Sequence, residues 1–161
     1  MPRRLLRDGE VVADEWQYLV EAEVAGSEPL ILGADQWLTD RERWLAHDGR
    51  LGVILAPEHA LERLAPDLGR FDLVGAKFPS LGDGRGYTQG RLLRERWQFR
   101  GELRATGLIG RDHLFFLARC GFNSFELPDS ELESARAALS TFSAAYQPSN
   151  DVGLMAALRR R

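Results

Sequence analysis

Residues 71–97 read FDLVGAKFPSLGDGRGYTQGRLLRERW, an apolar run, a glycine-rich charged loop and a segment with helical periodicity in direct succession. The apolar run from Phe71 to Phe78 has the length of a strand. Strands that alternate with helical segments are typical of parallel sheets, because parallel neighbours can be joined only through a long crossover. The stretch therefore predicts one strand–helix unit of an α/β fold.

The same alternation extends to both sides of this stretch. Further short strands are predicted at LILG from Leu30, LGVILA from Leu51, GELRATG from Gly101 and SFELP from Ser124. The helix after Leu30 carries apolar residues at helical spacing, namely Trp37, Leu38, Trp44 and Leu45. We predict about five strand–helix units with a mainly parallel sheet over residues 30–147.

Three details bound these helices. The helix after the second strand has an apolar stripe of Leu61, Leu64 and Leu68, and Pro66 should kink or break it. Gly121 is placed to end the fourth helix. His59, near a helix start, is expected to be a solvated residue.

The two ends of the chain differ from this core. Asp8 and Gly9 lie between short apolar runs, which predicts a hairpin within an N-terminal cap at residues 1–29. Residues 148–161 end in three arginines and are expected to form a basic tail, either mobile or docked on a partner. With 161 residues, the whole chain 1–161 is predicted to be one domain.

Composition excludes several classes of function. The formal net charge of −3 provides no basic field for nucleic acid, and no apolar run is long enough for a signal peptide or a membrane span. Cys120 is the only cysteine, so no disulfide or multi-cysteine metal site can form within one chain. We expect a cytoplasmic protein that is neither exported nor inserted in a membrane.

Three of the predicted strands place polar residues on one face. Alternation puts Lys77 with Gly75, groups Glu102 with Arg104 and Thr106, and groups Ser124 with Glu126. Buried charges need partners, so these side chains must pair with one another or face a cavity. One polar face and one apolar face favour a half β/α barrel over the alternative, a flavodoxin-like open sheet. The open edges of such a partial barrel predict a homodimer or a complex with another protein.

The glycine loop leaves from the edge where parallel folds gather ligand sites. Asp83, Gly84, Arg85, Gly86 and Tyr87 follow the third strand of the core, and Arg111 and Asp112 follow the fourth. Free backbone N–H groups beside arginines, with Arg104 from the strand, favour an oxyanion such as phosphate, sulfate, sulfite or a carboxylate. The alternative is that the glycines serve the turn and the charges form an interior salt-bridge network that binds nothing.

Other chemistry is weakly indicated. The loop matches neither a phosphate-binding GxxxxGK[ST] motif nor a GxGxxG fingerprint after the first strand, and no cofactor can be identified. His47, His59 and His113 are too scattered for a metal triad, so no metal site is assigned. Lys77 as base and Glu126 as acid or metal ligand are the candidate catalytic residues.

The segments FPSLGDGRGYTQGRLLRERW, GELRATG and RDHLFFLARCGFNSFEL resemble, in order and spacing, a bacterial family known as domain of unknown function 934. The agreement extends from about residue 37 to residue 127. This chain departs from the family pattern at Thr88, Gly90, Leu108 and His113. The pattern covers Asp83, Gly84, Arg85, Gly86, Tyr87, Arg91, Arg94, Glu102, Arg104, Arg111, Asp112 and Cys120.

The resemblance implies a connection with sulfite reduction, because family members commonly carry the description of probable oxidoreductases of that process. Two function classes follow. The first is an accessory protein of sulfite assimilation whose rim binds an oxyanion or an acidic segment of sulfite reductase or of its electron donor. The second is a small barrel-type enzyme, a lyase, isomerase or oxidoreductase, that uses Lys77 and Glu126.

Overall fold

The structure is a computed structural model that describes residues 3–19, 26–80 and 82–145, with the backbone alone for residues 142–145. The predicted basic tail at 148–161 and part of the predicted cap lie outside these residues.

The predicted hairpin is present at the N-terminus. Strands β1 (Arg4–Arg7) and β2 (Glu10–Ala13) pair antiparallel and are joined by Asp8 and Gly9. These two residues have φ of 52° and 80°, and a two-residue turn with positive φ at both positions matches the twist of the strands it joins.

Six further strands extend the sheet. They are β3 (Gln17–Tyr18), β4 (Leu30–Gly33), β5 (Leu51–Leu55), β6 (Phe71–Phe78), β7 (Glu102–Gly107) and β8 (Ser124–Phe125). The eight strands lie in the order β2-β1-β8-β7-β6-β5-β4-β3. Neighbours from β3 to β8 are parallel, and β1 pairs antiparallel with β8.

This order decides between the two predicted architectures. Each parallel strand neighbours the next in sequence, so right-handed crossovers place the connecting segments from β4 to β8 on the same face. A flavodoxin-like sheet reverses its order and carries helices on both faces. The protein is therefore a half β/α barrel.

The helices are α1 (Ala34–Thr39), α2 (Arg41–Leu45), α3 (Arg85–Glu95), α4 (Leu114–Arg119) and α5 (Leu132–Ala145). Short 3₁₀ turns precede the last two, at Arg111–His113 and Asp129–Glu131. The helix predicted after β5 consists instead of two 3₁₀ turns, Leu61–Arg63 and Ala65–Arg70, because Pro66 has no N–H to continue a helix. Leu45, predicted on the apolar face, is 40% exposed.

The two faces of the sheet have different cores. Leu32, Val53, Val74 and other alternate strand residues pack with the helices in one large cluster. The opposite face carries a separate small cluster of Trp16, Ile31 and Leu73. We call it the concave face, because the sheet curves toward it. The remaining side chains of that face are mostly polar, so the candidate functional groups lie there.

The sheet is strongly curved. Its edge strands β2 and β3 are separated in the chain only by residues 14–16. Four Cα steps span no more than about 14 Å, whereas eight strands laid flat at about 4.8 Å spacing would hold the edges about 34 Å apart. The link can form only if the sheet bends until its edges approach each other. The predicted homodimer stays a prediction.

Candidate functional site

Arg104 is at the centre of the concave face. It lies on β7 and is 0% exposed, and its guanidinium contacts three carboxylates. Nη1 donates to Asp14 Oδ2 at 3.1 Å and to Glu126 Oε1 at 2.9 Å, while Nη2 donates to Asp14 Oδ1 at 3.1 Å and to Glu102 Oε1 at 2.9 Å. The buried cation is thus neutralised by groups from β7, from beyond β8 and from the link 14–16.

Glu126 receives hydrogen bonds on both carboxylate oxygens. Tyr18 Oη donates to Oε1 at 2.5 Å, and Thr106 Oγ1 donates to Oε2 at 2.8 Å. With Arg104 as the third donor, the orientation of this carboxylate is held from three sides. Since Tyr18 lies on edge strand β3, the Tyr18–Glu126 bond also joins the two sides of the curved sheet.

Burial and charge shift the pKa values of this cluster in distinct directions. Burial opposes ionisation of Asp14, but the hydrogen bonds and charges of Arg104 and Arg3 outweigh it and lower the Asp14 pKa. Burial and the adjacent Glu126 charge raise the pKa of Tyr18. Burial disfavours the Arg104 cation, yet Glu102 and Asp14 overcome that cost and raise its pKa. These shifts favour an ionised Asp14, a protonated Tyr18 hydroxyl and a charged Arg104.

Lys77 lies next to this cluster but, unlike its buried and paired members, has an exposed side chain. It is on β6, opposite Thr106 of β7. None of the described residues forms a hydrogen bond or an ion pair with it. Lys77 lines a cavity of about 390 Å³ at the carboxyl ends of the parallel strands, where Tyr18, Thr106, Asp35 and His59 also contribute to the wall. We call this space the lysine cavity.

His59 in the wall of the lysine cavity is held at both ring nitrogens, and only 15% of its side chain is exposed. The Ala56 amide donates to Nδ1 at 2.8 Å, and Nε2 lies 3.0 Å from Asp35 Oδ1. Because Nδ1 accepts a bond, the ring hydrogen belongs on Nε2 and is donated to Asp35. The expectation of a solvated His59 is wrong, since the loop after β5 turns the ring inward.

The glycine loop does not line the lysine cavity. Asp83 there forms a closed pair with Arg85: Oδ1 accepts from the Arg85 amide at 3.1 Å and from Nε at 3.0 Å, and Oδ2 accepts from Nη2 at 2.7 Å. These bonds from Arg85 lower the Asp83 pKa. The arginine predicted to bind an oxyanion is already paired with a carboxylate two residues away.

Gly86 and Tyr87 of this loop are packing residues. A Cβ on Gly86 would lie 2.5 Å from the Phe78 ring, so the absence of a side chain lets α3 approach β6. The Tyr87 ring packs edge-on against Phe78, with 5.1 Å between ring centroids. Gly84 has no such close neighbour, the nearest atom being 3.9 Å away in Tyr87.

The rest of the predicted rim is dispersed. Arg111 and Asp112 are exposed on a 3₁₀ turn, and neither lines the lysine cavity. Arg85 lines a second cavity of about 300 Å³ beside α3, together with Gln89 and Glu62. The structure therefore brings Lys77, Glu126 and Arg104 to one face and leaves the loop and rim residues elsewhere.

Arg94, Arg91 and Cys120 of the sequence pattern lie on the helical side of the sheet. Arg94 donates from Nη1 to the carbonyls of Phe99 and Gly101 at 2.7 and 2.9 Å, and from Nε to that of Gly121 at 2.9 Å. Burial lowers its pKa to about 10. Arg91 Nη2 lies 4.0 Å from the Cys120 sulfur, and burial raises the pKa of that thiol. Arg94 thereby joins the loops at residues 99–101 and 121.

Asp14, Tyr18, Asp35 and His59 were not identified as site residues from the sequence. Asp14 lies on the short link 14–16 and Tyr18 on the two-residue strand β3, neither of which shows periodicity, and their partners are 90 and 108 residues away. The sequence signal for Asp14 is an acidic residue directly after a short apolar strand. Nothing in the chain pairs Asp35 with His59 until β4 and β5 lie side by side.

Within residues 3–19, 26–80 and 82–145, no group of three or more His, Cys, Asp or Glu side chains is arranged to hold a metal ion. Among the helices formed by these residues, none combines the length and the apolar character needed to cross a bilayer. The predicted cytoplasmic location stays a prediction.

The fold and the site together define a class: a half β/α barrel with a buried charge cluster on its concave face and a lysine cavity at the carboxyl ends of its strands. Within this class, the chain belongs to the family described as bacterial protein of unknown function, DUF934, whose model matches residues 52–154. The resemblance recognised from the sequence is confirmed at the level of the family. No curated protein matches the chain.

Proposed function

We propose that this protein binds a small anionic molecule in the lysine cavity, with Lys77 as the cation that holds it. One observation carries the proposal: Lys77 faces a cavity of about 390 Å³ and has no ion-pair partner among the described residues. Two other cations of the predicted site, Arg104 and Arg85, are already paired with carboxylates, and the third, Arg111, does not line the lysine cavity. A ligand anion would pair with the remaining cation.

The position of Lys77 supports the same proposal. Parallel α/β folds bind ligands at the carboxyl ends of their strands, and Lys77 is the last residue but one of β6. Glu126 of the adjacent Arg104 cluster accepts hydrogen bonds from Thr106 and Tyr18, which orients both side chains at the cavity wall. A fixed wall lowers the entropy lost when a ligand binds.

The test is the thermal stability of the purified full-length protein with sulfite, sulfate, phosphate or short carboxylates. A ligand at a hundred times its Kd stabilises the native state by about 2.7 kcal/mol, which raises Tm by roughly 5–10 °C for a domain of this size. We expect at least one anion to stabilise the wild type and to have no effect on Lys77→Met.

Arg85→Met is the matched control, because it also replaces a long cation by an uncharged chain of similar volume. It should keep the response to the anion. If Arg85→Met abolishes the response and Lys77→Met does not, the glycine loop is the binding site and the proposal is wrong. Absence of any anion effect on the wild type would also refute it.

We further propose that the protein acts beside the enzymes of sulfite assimilation, as the family resemblance implies. In this role it would supply an anion to, or dock on, sulfite reductase or its electron donor. Support comes from the resemblance and from the exposed Arg111 on the same chain. Co-purification of tagged protein with sulfite reductase, lost on Arg111→Ala, is the expected result, and failure to co-purify would remove the docking role.

The second candidate is a barrel-type enzyme with Lys77 as base. The observation that favours it is the exposed amine of Lys77 on the wall of a cavity at the carboxyl ends of the strands. Glu126, the candidate acid, contributes less to this reading because Tyr18, Thr106 and Arg104 hold both of its oxygens. Exchange of a carbon-bound hydrogen of a stabilising ligand in D₂O, lost in Lys77→Met, would identify the enzyme.

A further inference from the structure

The lysine cavity is too large and too apolar for an inorganic oxyanion alone. Its volume of about 390 Å³ falls in the range of small-molecule sites and equals the share of about a dozen waters in the liquid. Leu19, Ile31, Ile54, Ala34 and Ala56 supply much of its wall. Ile31 and Ala34 are already buried, but a tetrahedral oxyanion would leave the half-buried Leu19, Ile54 and Ala56 in contact with water.

The polar groups of the wall include acceptors and donors, and one neutral donor is the side-chain NH2 of Gln36, whose Oε1 accepts from the Gly33 amide at 2.8 Å. Tyr18 and Thr106 each donate their only hydroxyl hydrogen to Glu126, which leaves their oxygens free only to accept. Asp35 is an acceptor as well, and the two ring nitrogens of His59 are already engaged. Lys77 is therefore the one charged donor among the described residues of the wall.

These observations specify the chemistry of the ligand. Resting on the proposed function, we infer that the lysine cavity binds an organic carboxylate of the 2-hydroxy or 2-amino acid class with an apolar side chain. The carboxylate pairs with Lys77, and the apolar chain contacts the half-buried Ile54. The hydroxyl or ammonium group donates to the oxygens of Thr106 or Tyr18. Lys77 and Thr106 are neighbours on paired strands, so one small molecule spans both.

The test compares matched ligands on the full-length protein by NMR titration. The probes are 4-methylpentanoate, 2-hydroxy-4-methylpentanoate, L-leucine and sulfate. We expect the hydroxy acid or the amino acid to bind at least tenfold more tightly than 4-methylpentanoate and than sulfate. Lys77→Met should lose the binding of all four probes.

Two variants of Thr106 test whether the hydroxyl or ammonium group of the ligand donates to the Thr106 oxygen. Thr106→Val removes the acceptor oxygen and keeps the shape, while Thr106→Ser keeps the oxygen. Thr106→Val should weaken the 2-substituted acid by about tenfold and leave 4-methylpentanoate unchanged, and Thr106→Ser should retain both affinities. The far-UV circular dichroism of each variant checks that it is folded.

The outcomes separate this inference from the proposed function. If sulfate binds at Lys77 as tightly as the organic acids, the anion site stands and the inference about the ligand is overturned. Equal affinity for 4-methylpentanoate and its 2-hydroxy derivative also overturns it. If none of the probes binds, and the wild type responds to no other anion, both fail.

Discussion

Arg104 and Asp14 are 90 residues apart in the chain and form a two-pronged ion pair, with each terminal nitrogen of the guanidinium 3.1 Å from one carboxylate oxygen. Both side chains are completely buried. The pair fastens the link between β2 and β3 onto the middle of the sheet. It therefore contributes to the curvature that encloses the concave face.

Replacing Arg104 should be strongly destabilising. Arg104→Met would leave Asp14, Glu102 and Glu126 without their shared cation, and breaking a buried ion pair on one side costs about 3–5 kcal/mol. The free energy of unfolding in urea measures this cost. Arg136→Met, which removes an exposed pair with Glu133, is the control and should change it by less than about 0.5 kcal/mol. Similar values for both variants would contradict a central role for Arg104.

The lowered pKa of Asp14 predicts a specific dependence of stability on pH. A carboxyl whose pKa is lower in the folded state stabilises the fold above its unfolded pKa of about 3.9, and this contribution is lost as the pH falls through the folded pKa. Asp14→Asn should therefore be less stable than wild type at pH 7, and the difference should shrink below about pH 4. Urea unfolding from pH 7 to pH 2 measures it, and a constant difference would contradict the assignment.

Two glycines of the loop should respond differently to alanine. In Gly86→Ala the new Cβ would lie 2.5 Å from the Phe78 ring, so α3 must move away from β6. Overpacking of this kind costs about 1–3 kcal/mol. In Gly84→Ala the nearest atom is 3.9 Å away, and we expect a change below about 0.5 kcal/mol. Thermal denaturation of both variants is sufficient, and equal Tm losses would show that the packing argument is wrong.

Arg94 should be important for stability although it lies outside the lysine cavity. Arg94→Met would leave the carbonyls of Phe99, Gly101 and Gly121 without their donor. An unsatisfied buried polar group costs about 1–3 kcal/mol, so a loss of at least about 2 kcal/mol is expected. Anion binding measured under folding conditions should be unchanged. Loss of binding with normal stability would instead place Arg94 in a ligand site.

The element positions were largely predictable because they depend on local patterns. Alternation and apolar runs located β4 to β8 and the turn at Asp8 and Gly9. After β5 the chain forms two 3₁₀ turns instead of the predicted helix, and Pro66, which was expected to kink or break that helix, lies in the second turn. The polar character of one strand face was also readable, because side chains of a strand alternate between faces.

The sequence by itself determined which residues share the concave face, and hence that Lys77, Arg104 and Glu126 point the same way. Only the tertiary structure decided their partners. The curved sheet brings the link 14–16 and β3 against Arg104 and Glu126, which leaves Lys77 facing a cavity. Such pairings depend on how far the sheet bends, a property of all eight strands together, whereas a local pattern reports only on its own strand.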